Sequence, residues 1–201
     1  MQSILDLDKE LLLFFNGLHF PWLDPLMMLA TKTIFWLPVY LFLVYLIWKY
    51  KKWDTIYVLV GVAVTILLAD QITSSFMKPY FARLRPSQEP ALAGLIHLVD
   101  NYKGGLYGFA SSHAANTFGT ATLIFLLFRA RYSWIWIIFI WALLVSYTRI
   151  YLGVHYPGDI IVGAFVGFFC GWTGFAVANL LLRKYGRHHT QHSTLLDDAG
   201  S

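Results

Sequence analysis

The chain has 201 residues, of which 58% are hydrophobic, 18% are aromatic and only 13% are charged, with a formal net charge of +4. This balance lies outside the usual range for a soluble globular domain and excludes that class. The length favours a single domain, and the composition is typical of an integral membrane protein.

The N-terminal segment mixes acidic residues with leucine and phenylalanine at helical spacing. Residues 4–18, ILDLDKELLLFFNGL, are followed by the helix-breaking stretch HFPWLDP. The pattern predicts an amphipathic helix that lies in the membrane interface. A sixth, short membrane span is the alternative for this segment.

Five apolar runs follow, and each is predicted to cross the membrane as a helix. A bilayer core of about 30 Å requires about 20 helical residues, and the shortest run spans it if its polar first turn lies at the interface. The predicted fold class is therefore all-α, a polytopic membrane helical bundle of five spanning helices plus the N-terminal interfacial helix. Residues 1–182 are expected to form a single integral-membrane domain, and residues 183–201 a disordered cytoplasmic tail. The predicted spans are residues 33–48, 55–77, 114–128, 132–148 and 160–182.

Basic residues accumulate near the span ends on one side of this topology. The positive-inside rule puts that side, with the C-terminus, in the cytoplasm, and the predicted location is the cytoplasmic (inner) membrane of a bacterium. The N-terminus and the connections 78–112 and 149–158 then face the periplasm or the exterior. The basic residues on the cytoplasmic side are Lys49, Lys51, Lys52, Arg129, Arg131, Arg183, Lys184 and Arg187.

The first of three polar stretches on the outward side is KPYFARLRP, which follows the second span. Pro79 is predicted to stop the preceding helix. Lys78, Arg83 and Arg85 offer a movable point charge and planar forks, which suit phosphate oxygens. A basic cluster attracted to lipid headgroups is the alternative interpretation.

The second stretch is YGFASSHAAN, residues 107–116, at the start of the third span. Ser111 or Ser112 is predicted to cap a helix that begins near His113. The free N–H groups and the positive dipole end of such a helix form an anion site. The alternative is a simple helix cap followed by an interfacial histidine.

The third stretch is TRIYLGVHYPGD, which connects the last two spans and contains Arg149. With Pro157 as the first helical residue, Asp159 lies in the first turn, four residues after His155. At that separation the carboxylate can accept the Nδ1 proton of the imidazole, fix its tautomer and leave Nε2 free to attack an electrophile. A histidine and an aspartate that only cap the helix are the alternative.

Taken together, the three stretches resemble the type 2 phosphatidic acid phosphatase family of membrane lipid phosphatases, which shares its helical core with vanadium haloperoxidases. The family motifs are a lysine, six residues and Arg-Pro; Pro-Ser-Gly-His; and Ser-Arg, five residues, His, three residues and Asp. Residues 78–86 match the first motif completely, and residues 148–159 match the third except that Thr148 replaces serine. In the second motif, Ala110 replaces proline and Ser112 replaces glycine.

The resemblance implies a metal-independent phosphohydrolase that forms a phosphohistidine intermediate and uses no cofactor. His155 would be the nucleophile, Asp159 would orient it, and His113 would protonate the departing oxygen. Phosphoryl transfer needs mainly positioning and charge neutralisation, which three cations and helix-terminal amides can supply. The phosphoryl oxygens would be held by Lys78, Arg85, Ser111, the Ser112 amide and Arg149.

The expected partners are a membrane lipid phosphate, as the substrate, and the lipid bilayer in which the protein is embedded. Undecaprenyl diphosphate is the first choice, with phosphatidylglycerol phosphate, phosphatidic acid and a lipid A phosphate as alternatives. An anion transporter and a non-catalytic lipid-binding scaffold are hypotheses from other classes. No nucleic-acid partner is expected, and the oligomeric state is left open.

Three further features are assigned only general roles. Residues 87–106 are expected to form the rim that selects the lipid headgroup. Arg83, which matches no motif position, is interpreted as a headgroup contact. Asp70, inside the second span, is expected to make a structural hydrogen bond to a neighbouring helix.

Overall fold

A computed structural model describes residues 2–186, and these residues form an all-α bundle, as predicted. Within that range there is no β-strand, although an isolated bridge pairs Leu84 with Tyr107. The α-helices of the described part are α1 (Gln2–Gly17), α2 (Asp24–Ala30), α3 (Leu37–Lys51), α4 (Thr55–Asp70), α5 (Lys78–Phe81), α6 (Ser112–Phe128), α7 (Ile138–Tyr151) and α8 (Pro157–Tyr185).

Helices occur at all five predicted spans. Three helical segments of the described chain are long and apolar enough to cross a membrane: Thr33–Phe81, Ser133–Tyr151 and Pro157–Tyr185. The first, of 49 residues, contains two of the predicted spans, and Lys52 at φ 49° interrupts its α-helical geometry between α3 and α4. The third predicted span corresponds to α6, which is shorter at 17 residues.

The last helix extends beyond its predicted end. α8 continues to Tyr185, so the first residues of the predicted tail are helical rather than disordered. The rest of that predicted tail, residues 187–201, lies outside the described residues.

α8 packs closely on α4 and α6 through residues without side chains. A Cβ atom on Gly163, Gly167 or Gly171 would overlap a backbone carbonyl oxygen of residues 111–119. Small residues at such spacing allow membrane helices to approach at the backbone. The contact fixes the first turn of α6, which carries the second motif, beside the first turn of α8, which carries the third.

The junction between α4 and α5 differs from the sequence prediction. A π-helix, Gln71–Met77, joins the two, and Pro79 lies in the first turn of α5. The prediction that Pro79 stops the helix is therefore wrong, because the helix continues to Phe81; the π-helical turn before Pro79 changes the hydrogen-bond pattern that its missing N–H would otherwise interrupt. The helix ends at Phe81, after which Ala82 adopts the left-handed conformation at φ 45°.

α1 is present at the predicted position and has one buried face. Leu12 and Asn16 are buried. The Asn16 side chain donates to the backbone oxygens of Tyr151 (2.7 Å) and His97 (3.0 Å) and accepts from the His97 amide (2.7 Å). α1 is thereby tied to α7 and to the 87–106 segment, and its position in the membrane interface stays a prediction.

Candidate active site

The residues singled out from the three motifs come together at one end of the bundle, here named the site end. They lie on different elements: α5 and the segment after it, the start of α6, the last turn of α7, and the start of α8 with the segment that leads into it. The bridge between Leu84 and Tyr107 joins the first of these segments to the residues before α6. The members of the site are Lys78, Arg85, Ser111, Ser112, His113, Arg149, His155 and Asp159.

At the centre of the site, His155 and Asp159 form a buried pair. His155 Nδ1 lies 3.2 Å from Asp159 Oδ2, which also accepts the Tyr156 amide at 3.1 Å. On the other side of the ring, Arg85 Nη1 donates to His155 Nε2 at 2.9 Å. Because arginine can only donate, Nε2 is an acceptor and Nδ1 carries the proton. Both contacts therefore select the tautomer whose Nε2 lone pair can act as a nucleophile.

The surroundings of His155 keep its imidazole neutral. Complete burial, followed by the positive charges of nearby basic residues, lowers the pKa of His155 well below its ordinary value. A neutral ring is the form that can attack phosphorus. The basic residues that lower this pKa are Arg85, Arg149, Lys78 and Arg83.

Two buried guanidinium groups flank the pair. Arg85 is 8% exposed and also donates from Nη1 to the Val154 carbonyl at 3.1 Å; Arg149 is 3% exposed. Within residues 2–186 neither Arg85 Nε nor Arg149 Nε has a hydrogen-bond partner, although both atoms are buried. An unpaired buried donor is costly, so these two atoms are suited to the oxygens of an anion.

Lys78 reaches the site through a cluster of hydroxyl groups. Its Nζ donates to Ser112 Oγ at 2.7 Å and to Ser74 Oγ at 3.1 Å. Ser112 Oγ also accepts from Thr73 Oγ1 at 2.8 Å. Ser112 stands where the family motif has glycine, and its side chain is accommodated because it binds the lysine of the first motif.

α6 begins as the cap pattern predicts. Ser111 is the N-cap, with extended backbone geometry, and its Oγ accepts the Ala114 amide at 3.4 Å. The Ser111 amide donates to the Asp159 carbonyl at 3.0 Å, which joins the second and third motifs directly. The N-terminus of α6 therefore lies beside the buried His155–Asp159 pair.

His113 lines a cavity of about 330 Å³ that extends from the site between the helices. Its apolar walls include Trp36 and Tyr40 on the α3 side, Ile66 of α4 and Val145 of α7. Threonine and asparagine side chains line the rest of this cavity beside His113, and the mixture of polar and apolar walls fits an amphipathic ligand.

Two side chains near the site make contacts that their sequence interpretations did not include, and for Asp70 the interpretation is wrong. Arg83, interpreted as a headgroup contact, pairs with Asp159 (Nη1 to Oδ1, 2.9 Å) and with Asp8 of α1 (Nη2 to Oδ2, 2.7 Å). Asp70 is exposed and accepts a hydrogen bond from Ser74 Oγ at 3.4 Å within its own helical segment, not from a neighbouring helix. The π-helix keeps Asp70 and Ser74 on one face.

Two residues that hold Arg149 have no signal in the sequence. Arg149 Nη1 donates to Thr31 Oγ1 at 2.6 Å, and Nη2 lies 3.5 Å from the Tyr102 hydroxyl. Thr31 follows α2 and Tyr102 belongs to the predicted rim, and neither is part of a recognisable motif. Long-range packing alone brings them to the site.

Gly108 is a third residue that the sequence does not identify. A Cβ atom there would lie 3.0 Å from Asp159 Oδ2 and 3.2 Å from Arg85 Cγ. A side chain at this position would press on the Asp159 carboxylate and on the aliphatic part of Arg85. The segment before α6 can therefore pack closely against Asp159 because it has a glycine at position 108.

Among residues 2–186, no group of three or more histidine, cysteine, aspartate or glutamate side chains is arranged to hold a metal ion. The charged groups that converge on His155 are cations, apart from Asp159. Such a donor set suits a phosphate better than a cation.

Comparison with known proteins gives consistent matches. A family model described as the PAP2 superfamily matches residues 57–183, which include all three motifs. The lipid A 4'-phosphatase of Bacteroides thetaiotaomicron is 43% identical over 186 residues, covering 92% of this chain and 82% of that protein. The lipid A 4'-phosphatase of Porphyromonas gingivalis is 37% identical over 172 residues, covering 85% and 72%. The crystal structure of Aquifex aeolicus LpxE has a TM-score of 0.62 at 25% identity, covering 85% of this chain and 95% of that one.

Proposed function

The chain belongs to the PAP2 superfamily and is a membrane lipid phosphatase, and from that premise we propose that it removes the 4'-phosphate of lipid A. The observation that carries the substrate is the similarity to two lipid A 4'-phosphatases, which extends over most of each chain. Undecaprenyl diphosphate, the first choice from the sequence, is not supported by these relatives. Lipid A phosphate, one of the alternatives, is favoured instead.

The cavity beside His113 supports a lipid substrate. A phosphate bound at Arg85 and Arg149 would leave the attached sugar near the rim, while an acyl chain could occupy the apolar space between Trp36 and Val145. Burying a chain there removes apolar surface from water at about 0.8 kcal/mol per methylene. The headgroup and the tail would thus be bound by different parts of one continuous site.

In the first chemical step, the lone pair of His155 Nε2 attacks phosphorus. The bond from phosphorus to the lipid oxygen breaks, and its electron pair goes to that oxygen. His113, which carries a proton because the negative charge of the bound phosphate offsets the neighbouring cations, supplies the proton that makes it an alcohol. The Nδ1 proton remains in the hydrogen bond to Asp159, which stabilises the positive charge of the phosphorylated ring. Arg85 releases Nε2 and binds a phosphoryl oxygen, together with Arg149 and Lys78.

In the second step, a water molecule attacks the phosphohistidine. His113, now neutral, takes a proton from that water, and the bond between phosphorus and Nε2 breaks with its electron pair returning to the imidazole. Inorganic phosphate leaves, and both histidines return to their starting protonation. The cations and the amides of the first turn of α6 neutralise charge on the equatorial oxygens in both steps.

Five membrane crossings, with the site end outside and the C-terminus in the cytoplasm, complete the proposal. The exposed basic residues at the opposite end of the bundle support this orientation.

The orientation is tested by labelling single cysteines. The sole cysteine, Cys170, is buried, so a Cys170→Ala background allows single cysteines to be introduced as Lys103→Cys and Arg131→Cys. A membrane-impermeant thiol reagent should label the first and not the second in intact cells, and the reverse pattern would overturn the orientation.

Two non-enzymatic hypotheses fit less well. An anion transporter would need charged groups through the depth of the bundle, whereas Arg85, Arg149 and Lys78 lie together at one end. A lipid-binding scaffold would not need an imidazole whose tautomer is fixed from both sides, as in His155. Both hypotheses predict that a ligand binds, an anion or a lipid, without release of phosphate from a lipid.

The function is tested by phosphate release from a panel of lipids in detergent with a chelator present. Lipid A, undecaprenyl diphosphate, phosphatidylglycerol phosphate and phosphatidic acid are compared, and fragmentation mass spectrometry identifies which lipid A phosphate is lost. We expect the highest kcat/KM for the 4'-phosphate of lipid A and no activity in His155→Ala. Preference for another lipid would overturn the substrate, and equal release by the variant would overturn the mechanism.

A further inference from the structure

We propose that Arg83 and Asp8 are positioning residues for the catalytic pair, which makes α1 a part of the catalytic apparatus. The inference rests on the proposed role of His155 as nucleophile. It assigns a function to an arginine that belongs to no motif position and to a helix that lies outside the matched residues 57–183.

The geometry of Arg83 begins the argument. Its two terminal nitrogens bind different carboxylates, Nη1 to Asp159 Oδ1 at 2.9 Å and Nη2 to Asp8 Oδ2 at 2.7 Å. The face of the guanidinium lies over the Tyr156 ring at 3.8 Å. Its two terminal nitrogens and one face are thus occupied by protein groups, so Arg83 is held in one orientation and does not reach for a headgroup.

Asp8 anchors the other end of this arrangement to α8. Its side chain is 11% exposed, and Oδ1 accepts the Gly158 amide at 2.7 Å. A Cβ on Gly158 would lie 2.8 Å from Asp8 Oδ2, so the approach depends on a residue without a side chain. Asp8 therefore fixes Arg83 relative to the residue that directly precedes Asp159.

The contacts explain how a fully buried carboxylate keeps one orientation. Asp159 Oδ2 accepts from His155 Nδ1 and from the Tyr156 amide, while Oδ1 accepts from Arg83. An ionised carboxylate buried without a paired cation is strongly disfavoured. Arg83 supplies that cation through Nη1, and Asp8 pairs with its other terminal nitrogen, Nη2. Removing Arg83 or Asp8 should therefore make the Asp159 carboxylate, which orients the imidazole, less firmly held.

Charge at Arg83 also acts on the nucleophile. Arg83 is among the cations that lower the pKa of His155. The other titratable groups that face His155 are Arg85 of the first motif, Lys78 of α5, His113 of α6, Arg149 of α7 and Asp159 of α8. Removing the Arg83 charge should raise the pKa of His155. Removing the Asp8 charge leaves Arg83 less compensated and should lower that pKa further.

The test compares Arg83→Gln, Arg83→Lys, Asp8→Asn and the double variant Asp8→Asn/Arg83→Gln. Asp6→Asn is the matched control, because it makes the same change on the same helix at an exposed side chain. We expect Arg83→Gln to lower kcat by about 10-fold to 100-fold, as is usual when a partner that orients a functional histidine is lost. Asp8→Asn should lower kcat less, Arg83→Lys should be intermediate because a point charge cannot bind both carboxylates, and Asp6→Asn should leave kcat unchanged.

The double variant and the pH profile distinguish positioning from a purely structural role. Because the residues act in series, the double variant should lose no more than Arg83→Gln. The acidic limb of kcat/KM should move to higher pH in Arg83→Gln and to lower pH in Asp8→Asn, while KM changes little. A role in folding alone would lower the yield or the thermal stability and leave the limb in place.

The outcomes separate this inference from the proposed function. If His155→Ala is inactive while Arg83→Gln and Asp8→Asn keep the kcat and pH limb of the parent, the inference is wrong and the function stands. If no lipid phosphate is hydrolysed, nitrogen NMR of histidine-labelled protein still decides, with His155→Gln used for assignment. We expect an Nδ1-protonated ring in the parent and a mixture of tautomers in Arg83→Gln, and the same tautomer in both would overturn the inference.

Discussion

The two ends of the bundle both carry positive charge, but they carry it differently. At the site end, Arg85 and Arg149 are 8% and 3% exposed, and a nitrogen of each is buried without a partner among the described residues. At the opposite end every cation of the described residues is exposed except the half-buried Lys51, and Arg131 lies over the Tyr50 ring at 4.2 Å. The other exposed cations there are Lys49, Lys52, Arg129, Arg183 and Lys184.

The degree of burial distinguishes the basic residues of the candidate site from those near the helix ends on the opposite side. Desolvating a guanidinium is expensive unless paired groups or a bound anion offset it, so buried arginines point to chemistry. An exposed cation near a helix end costs little and favours the cytoplasmic side. The same residue type therefore supports the proposed phosphate site at one end and the proposed membrane orientation at the other.

The largest effect should come from Asp159, the buried anion at the site end. Asp159→Asn keeps the shape of the side chain but stabilises the wrong imidazole tautomer, so kcat should fall by about 10⁴-fold. Orthovanadate binding should be retained, since the phosphate-binding cations remain. Turnover and vanadate affinity check this, and unchanged turnover would mean that Asp159 is only a helix cap.

The comparison itself is tested by changing one arginine at each end. Arg149→Gln should lower kcat by about 10²-fold to 10³-fold, because it removes charge stabilisation in a water-poor site. Arg131→Gln should leave kcat and KM unchanged. Equal losses in the two variants would show that the positive charge acts through the overall field and not through contact with phosphate.

A smaller effect is expected from a substitution at Gly108, in the segment before α6. In Gly108→Ala the new methyl group would lie 3.0 Å from Asp159 Oδ2, and displacing that carboxylate should lower kcat by about 10-fold. In Gly105→Ala no heavy atom lies within 4 Å of the new carbon, which makes it the matched control. Full activity in both variants would show that the site tolerates movement of Asp159.

The smallest expected effect concerns the parent enzyme itself. Its acidic pH limb should lie below the pH expected for an ordinary histidine, while the maximal rate is unaffected. Because burial and neighbouring cations lower the pKa of His155, its neutral form persists as the pH falls, and the acidic limb of kcat/KM should lie well below pH 6.5. Rates between about pH 4 and about pH 9 test this. An acidic limb near the ordinary histidine value of about 6.5 would contradict the cationic, desolvated site.

The sequence was sufficient for the parts of the site that follow from local chemistry. A serine cap at Ser111 or Ser112, Pro157 as a helix start, and His155 four residues before Asp159 all depend on spacing along a few residues. The helices at the predicted spans follow from hydropathy in the same way. The five-span topology then predicts that the three motifs lie at the same end of the bundle.

The remaining parts depend on contacts between distant segments. Asp8 is one of several acids on α1, and nothing in its neighbourhood distinguishes it from exposed Asp6. Its role appears only when α1 packs beside the first turn of α8. The π-helix before α5, and the serine hydroxyl that binds Lys78 in place of a motif glycine, are likewise results of packing and not of local pattern.

The central claim is that His155 is the nucleophile, and the stereochemical course at phosphorus tests it most directly. A lipid substrate with a chiral thiophosphate, labelled with a heavy oxygen isotope, is hydrolysed in water of another oxygen isotope, and the configuration of the released thiophosphate is determined by phosphorus NMR. Attack by His155 followed by attack of water inverts phosphorus twice, so retention of configuration is predicted. Inversion would mean a single displacement by water, and it would contradict the phosphohistidine mechanism.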